Sequence, residues 1–117
     1  MDKLEEKIGY RFQNRDLLLT ALTHSSYANE RHADGLPCYE RLEFLGDAVL
    51  EMVSSEYLFK QFPDEMEGSL SRKRSRLVCE EGLAPAAREL MLGEFLFLGK
   101  GAEREGPRET DSVLADV

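Results

Sequence analysis

Three carboxylates, Glu40, Glu43 and Asp47, stand at offsets of zero, three and seven along one stretch of the chain. On a helix turning about 100° per residue, all three fall within about 60° of arc. Like charges at this spacing repel, by a few tenths of a kcal/mol per pair, and Arg41 points away from them. A solvated acidic face is the plain reading of such a stripe. Here Leu42, Phe44 and Leu45 interleave with the acids, which puts the carboxylates at the border of an apolar surface. Acids held at that border need a counter-cation, and an all-oxygen donor set favours a hard ion, magnesium or manganese rather than zinc. Gly46 leaves room beside Asp47 for a ligand or another backbone, at about 1 kcal/mol of helix propensity. Glu67 and Asp116 are two further acids that could complete a site. Spacing alone brings neither to the stripe, and an acid such as Asp116 at a helix start is favourable without any metal.

Other chemistries find no support. No Ser-His-Asp or Cys-His arrangement is visible, and His24 reads as a helix-end cap or core residue. With no side-chain nucleophile in view, hydrolysis here means attack by a metal-activated water. Gly99-Lys100-Gly101 lacks the spacing and the hydroxyl of a phosphate loop, so no nucleotide cofactor is expected. Asp64-Glu65-Met66-Glu67 lacks the calcium-loop spacing. Cys38 and Cys79 fit no zinc pattern and read as reduced thiols. Arg72, Lys73, Arg74 and Arg76 form the basic cluster of the chain, either a solvated face or a contact for phosphates.

The 117 residues suffice for one domain, and their net charge of −8 taken alone argues against a nucleic-acid partner. Bound metal would resolve that conflict by inverting the local field that a phosphate meets. No apolar run nears the roughly 20 residues of a membrane span. The opening Met1-Asp2-Lys3-Leu4 has no secretory character, so a cytoplasmic protein with no membrane contact is expected.

Positioning these residues falls to helices. The pattern predicts a short helix over 4–8 ending at Gly9 and another over 14–23 capped by Asn14. Residues 27–36 read as a loop. A long helix, about 25 residues, is then expected from Pro37 to the turn at Phe62-Pro63. Leu42, Leu45, Val49, Met52 and Val53 mark it as a buried spine. Ser69 is the expected cap of the next helix, Gly82 and Pro85 the expected interruption before a further helix over 85–91. Residues 95–98 read as a buried turn or brief strand, 99–107 as a mobile loop, and Asp111 or Ser112 as the cap of a last helix.

The segment Glu40-Arg41-Leu42-Glu43-Phe44-Leu45-Gly46-Asp47-Ala48-Val49-Leu50 resembles the signature of the ribonuclease III family. Ala21-Leu22-Thr23-His24-Ser25-Ser26-Tyr27, Gly68-Ser69-Leu70-Ser71, Leu98-Gly99-Lys100-Gly101 and Asp111-Ser112-Val113-Leu114-Ala115-Asp116-Val117 resemble further family segments in the right order. The resemblance implies an all-α catalytic domain over 1–117. It also implies magnesium-dependent hydrolysis of double-stranded RNA to 5′-phosphate and 3′-hydroxyl ends by a symmetric homodimer, with manganese able to substitute. Glu43, Asp47 and Asp116 match metal ligands of the family. Glu40 and Glu67 match acids near the substrate, and Phe44 matches an aromatic that enters a pocket on the partner subunit. Arg72, Lys73 and Arg76 are the candidates for RNA phosphates.

One departure stands against this. The family's last catalytic helix carries a second acid one turn after the aspartate and a long apolar face, so the family fold is expected here without its last helices. One metal site would lack a ligand and a groove would lie open, to be covered by an altered dimer. Without a basic double-stranded-RNA-binding domain, RNA binding is expected to be weak and salt-sensitive. Two readings follow: an endoribonuclease of reduced activity, or a non-catalytic RNA-binding or assembly dimer on the same fold.

Overall fold

Leu18 and Leu22 lie one helical turn apart, and their side chains are among the most deeply buried in the protein. A computed structural model describes residues 2–31, 37–104 and 106–117, with Pro107 by its backbone alone. Helices dominate: α1 Asp2–Ile8, α2 Arg15–Ala21, α3 Ser25–Glu30, α4 Glu40–Gln61, α5 Glu67–Val78, α6 Glu80–Glu89, α7 Lys100–Glu103 and α8 Asp111–Asp116, with 3-10 turns at Leu92–Phe95 and Pro107–Glu109. Among the described residues the only β-type pairing is an isolated parallel bridge between Thr23 and Phe97, so the fold is all-α.

Two buried clusters organise the helices. Leu4, Leu18, Leu22, Leu96 and Leu98 form the larger, joining α1 and α2 to the segment 96–98. Ala84, Ala87 and Leu114 form the smaller, where α8 lies against α6. Between them, Arg108 donates 2.8 Å hydrogen bonds to the carbonyls of both Gly93 and Leu96 and an Nε bond to Glu103. α4 and α5 form an antiparallel pair in which Arg74 donates to the Ser55 hydroxyl at 3.0 Å. This pair elongates the molecule: its radius of gyration is 16.0 Å, against about 13 Å for a compact chain of this length.

Several local expectations are met for the expected reasons. Gly9 ends α1 at φ +71°, a conformation that suits glycine. The Asn14 side chain accepts from the Asp16 amide and caps α2. His24 caps α3 through Nδ1, which accepts from the Ser26 amide. Leu96 and Leu98 are buried on either side of the Phe97 bridge.

Others are corrected. Residues 27–30 of the expected loop are helical, as part of α3, because the His24 cap satisfies its first turn; residues 32–36 of that loop lie outside the described residues. α4 begins at Glu40, not Pro37, after a turn in which the Tyr39 amide donates to the Thr23 carbonyl at 2.9 Å. α5 begins at Glu67, and the Ser69 hydroxyl turns back to Glu65 instead of capping. α6 runs unbroken through Pro85, held by burial of Ala84 and Ala87. Gly82 is a packing residue, not a breaker: a Cβ there would sit 2.3 Å from the Arg76 carbonyl oxygen and 2.7 Å from that of Leu77. Lys100–Glu103 form a helical turn, tied to α3 by Gly99 N–H to Ser26 Oγ and Gly101 N–H to Glu30, both at 3.0 Å. α8 opens at Asp111, with Thr110 as the N-cap residue.

The largest correction concerns α4. Leu45, Val49, Met52 and Val53 are each about half exposed or more, and Leu58 is the one buried residue of the helix. The apolar period is real, but within the described chain α5 covers one face and α2 only the first turns.

Two tests follow. Glu5 is buried and accepts from the Phe12 amide at 2.7 Å and from Arg15 at 2.9 Å. The Phe12 bond, opposed by burial and aided by Arg15, holds its pKa below the ordinary 4.5. The folded state therefore binds fewer protons than the unfolded one, and the contribution is present above about pH 4.5 and lost as pH falls through the folded value. Glu5→Gln is expected to be less stable than the parent at pH 7, with the difference closing on acidification in denaturant titrations. Gly82→Ala, favoured by about 1 kcal/mol on helix propensity, is expected to lower Tm instead, because two backbone oxygens must move.

Candidate active site

The pocket between α2, the start of α4 and the end of α8 holds Glu43, Asp47 and Asp116 together with Tyr39, Gly46 and Val117. Its volume is about 490 Å³. α4 supplies the first two acids on one side, two turns deep. α8 supplies Asp116 because Leu114 anchors that helix on Ala84 and Ala87. Three of the five acids singled out by sequence thus converge, from positions up to the far end of the chain.

The electrostatics are strained. Burial raises the Glu43 carboxyl above its ordinary value of 4.5; the charge of Asp116, a hydrogen bond shared with it, and the charges of Asp47 and Glu40 add to the rise. None of the ion pairs among the described residues reaches Glu40, Glu43, Asp47 or Asp116. Glu40 and Glu43 lie in the first turn of α4, where the helix dipole offers partial relief. Burial, then Asp116 and Glu43, push the neighbouring Tyr39 phenol up to about 12.

An oxygen-only set with uncompensated negative charge fits a hard divalent cation in its chemistry. Among the described residues, no three such side chains are close enough to form a cage by themselves. Glu43 and Asp116 lie close enough that the second raises the carboxyl of the first.

The remaining candidates lie elsewhere. Glu40 is exposed at the first residue of α4, beside the cluster. Glu67 opens α5 beyond the far end of α4, about 20 Å along the helix from Asp47 at 1.5 Å per residue. It does not join the pocket within one chain. Lys73 is half-buried, paired with Glu65 and seated 3.6 Å over the Phe62 ring, so it is occupied structurally. Arg72 and Arg76 are exposed. Phe44 is 81% exposed and borders a cleft of about 880 Å³ that Leu17, Pro37, Cys38 and Leu45 also line. A methyl group at Gly46 would meet nothing within 4 Å, so the room this glycine leaves belongs to the pocket rather than to a packed backbone. Tyr39 was not legible as a site residue; its position directly before Glu40 was the available signal.

The chain is similar to known proteins over nearly all of its length. Residues 14–117 match the Ribonuclease-III-like family. The Ribonuclease 3 of Caldanaerobacter subterraneus subsp. tengcongensis is 55% identical over 114 residues, 97% of this chain and 50% of that protein. That of Nitratidesulfovibrio vulgaris is 55% identical over 117 residues, 100% of this chain and 46% of its own. The chain spans about half the length of the curated relatives it matches. The crystal structure of the nuclease domain of ribonuclease III from Campylobacter jejuni superposes with a TM-score of 0.88 at 42% identity, over 99% of this chain and 75% of that one. A second structure of that domain, described for structural flexibility in a region involved in dimer formation, gives 0.87 at 43% identity, over 97% and 76%. With the signature acids on one helix, their partner on α8 and the fold shared over nearly its whole length, this chain belongs to the ribonuclease III-like family.

Proposed function

We propose that residues 1–117 are catalytic-domain sequence of an endoribonuclease that hydrolyses phosphodiesters of double-stranded RNA, leaving 5′-phosphate and 3′-hydroxyl ends. The observation that carries this reading is the convergence of Glu43, Asp47 and Asp116 in one pocket, with no basic side chain among the described residues paired to them. These three would hold magnesium, with manganese as a substitute. Such an ion, when bound, activates the attacking water and stabilises the leaving oxygen.

The chain's own residues supply the rest. Asp116 faces Glu43 closely enough to raise its carboxyl, and a cation between the two would relieve that repulsion. Asp47 lies one turn further along the same face of α4. Glu40 is exposed one turn before Glu43, on the neighbouring cleft, and by family resemblance it would face the substrate. Glu67 enters on family resemblance alone, since it lies at the other end of α4 within one chain. Arg72 and Arg76 are the exposed cations for phosphates flanking the cut, which suits recognition of duplex RNA by backbone and shape.

The same reading includes a homodimer. α4 presents Phe44, Met52 and Phe59 to solvent, next to an apolar cleft. Phe44 from one copy entering the cleft of another would form an isologous contact, repeated by symmetry.

Cleavage of a long RNA duplex with magnesium is the direct test, run on this chain and on Asp47→Asn. Cutting by the parent and loss of about a hundredfold or more in the variant is expected. Equal cutting by both would remove the acids from the mechanism, and none by either would leave an RNA-binding or assembly dimer. For the interface, Phe44→Ala is expected to weaken the dimer by about 2 kcal/mol, roughly thirtyfold in dissociation constant, by sedimentation equilibrium. An unchanged dimer would place the contact elsewhere.

A further inference from the structure

Tyr39 is 6% exposed, yet its phenol has no hydrogen-bond partner among the described residues. Every fully buried side-chain nitrogen or oxygen among those residues has a partner. The phenol oxygen is therefore not sealed in the core. The opening it reaches is the pocket it lines, shared with Glu43, Asp47 and Asp116. Asp116 is the charge that acts most strongly on it and Glu43 the next.

The rest of Tyr39 is held on three sides. Its amide donates to the Thr23 carbonyl at 2.9 Å, and its carbonyl accepts from the Glu43 amide at 2.7 Å. Its ring meets the His24 ring edge-on, with centroids 5.8 Å apart and planes at 78°. His24 is itself fixed, its amide donating to the Phe97 carbonyl at 3.0 Å and its Nδ1 bonded to Ser26. A ring held this way has little rotamer freedom, and it lines the same pocket as the acids.

We propose that Tyr39 is a positioning residue of the acid pocket, whose hydroxyl donates a hydrogen bond to the Asp116 carboxylate and holds it facing Glu43 and Asp47. This rests on the reading of the pocket as a divalent-cation site. α8 is held through Leu114, Val113 and Val117, which pack on the two core clusters, so the Asp116 carboxylate itself is left to be oriented from the pocket it lines. Outer partners of metal ligands orient them, and their loss costs about ten- to a hundredfold in affinity.

The test is manganese binding by isothermal titration calorimetry, with Tm measured in parallel, on the parent chain, Tyr39→Phe and Asp47→Asn. Tyr39→Phe keeps the ring and its contact with His24 and removes only the hydroxyl. The expected result is affinity lowered about tenfold in Tyr39→Phe with an unchanged Tm, and binding lost in Asp47→Asn. Parent-like affinity in Tyr39→Phe, with Asp47→Asn impaired, would overturn the assignment of Tyr39 alone. A parent chain that binds no manganese would overturn the cation-site reading and this assignment with it. A Tyr39→Phe variant that loses affinity only in proportion to a fall in Tm would reduce Tyr39 to packing and also overturn the proposal.

Discussion

The architecture depends on one short set of backbone hydrogen bonds at the end of α2. The Phe97 amide donates to Leu22, the His24 amide to Phe97, and the Tyr39 amide to Thr23, all within 3.0 Å. Three stretches far apart in sequence meet in this junction, and each brings something the others lack. Leu22 brings the core, 96–98 brings two leucines on either side of the bridge, and Tyr39 brings the start of the long helix. The direction in which α4 leaves the core, and so the side on which its acids appear, is set here. Buried backbone groups must find partners, and the irregular segment 96–98 finds them at Leu22 and His24, the caps that end α2 and open α3, and at Gly93 and Arg108.

Charge is divided between two uses. Arg15, Arg88, Arg108 and Lys73 stitch loops and helix ends together through carboxylates or carbonyls. The pocket acids receive none of them. Among the described residues of a protein with a net charge of −8, no ion pair reaches the three converging carboxylates, and burial with the neighbouring acids raises Glu43. Under the proposed function an external cation would relieve that repulsion where an internal ion pair would have forestalled it.

The sequence carried the helices of the core, the caps at Asn14 and His24, and the face shared by Glu43 and Asp47, because each depends on residues within a turn or two of one another. It carried Asp116 only by resemblance, since the contact between α8 and α6 runs through two alanines and a leucine that have no distinctive spacing. Gly82 and Pro85 looked like breakers because local propensity counts against them, whereas the close approach of α5 to α6 requires the one and tolerates the other. The apolar period of α4 was read as burial. Periodicity reports that a helix has an apolar face, not what covers it, and only Leu58 is covered from within the described chain. Tyr39 escaped notice because an aromatic before a helix is usually core, and nothing local distinguishes one whose hydroxyl opens onto a pocket.

The placement of α8 has a kinetic side. Closing the roughly 70 residues between Asp47 and Asp116 costs entropy, which docking of α8 on α6 and on the core around Leu22 returns. The pair α4 and α5, by contrast, forms from neighbours in sequence. Detachment of α8 would uncover the part of the Leu22 core that Val113 and Val117 pack against, and the pocket would cease to exist while the pair α4 and α5 stands. The site therefore exists only while α8 is docked, and amide exchange in α8 reports on that docking.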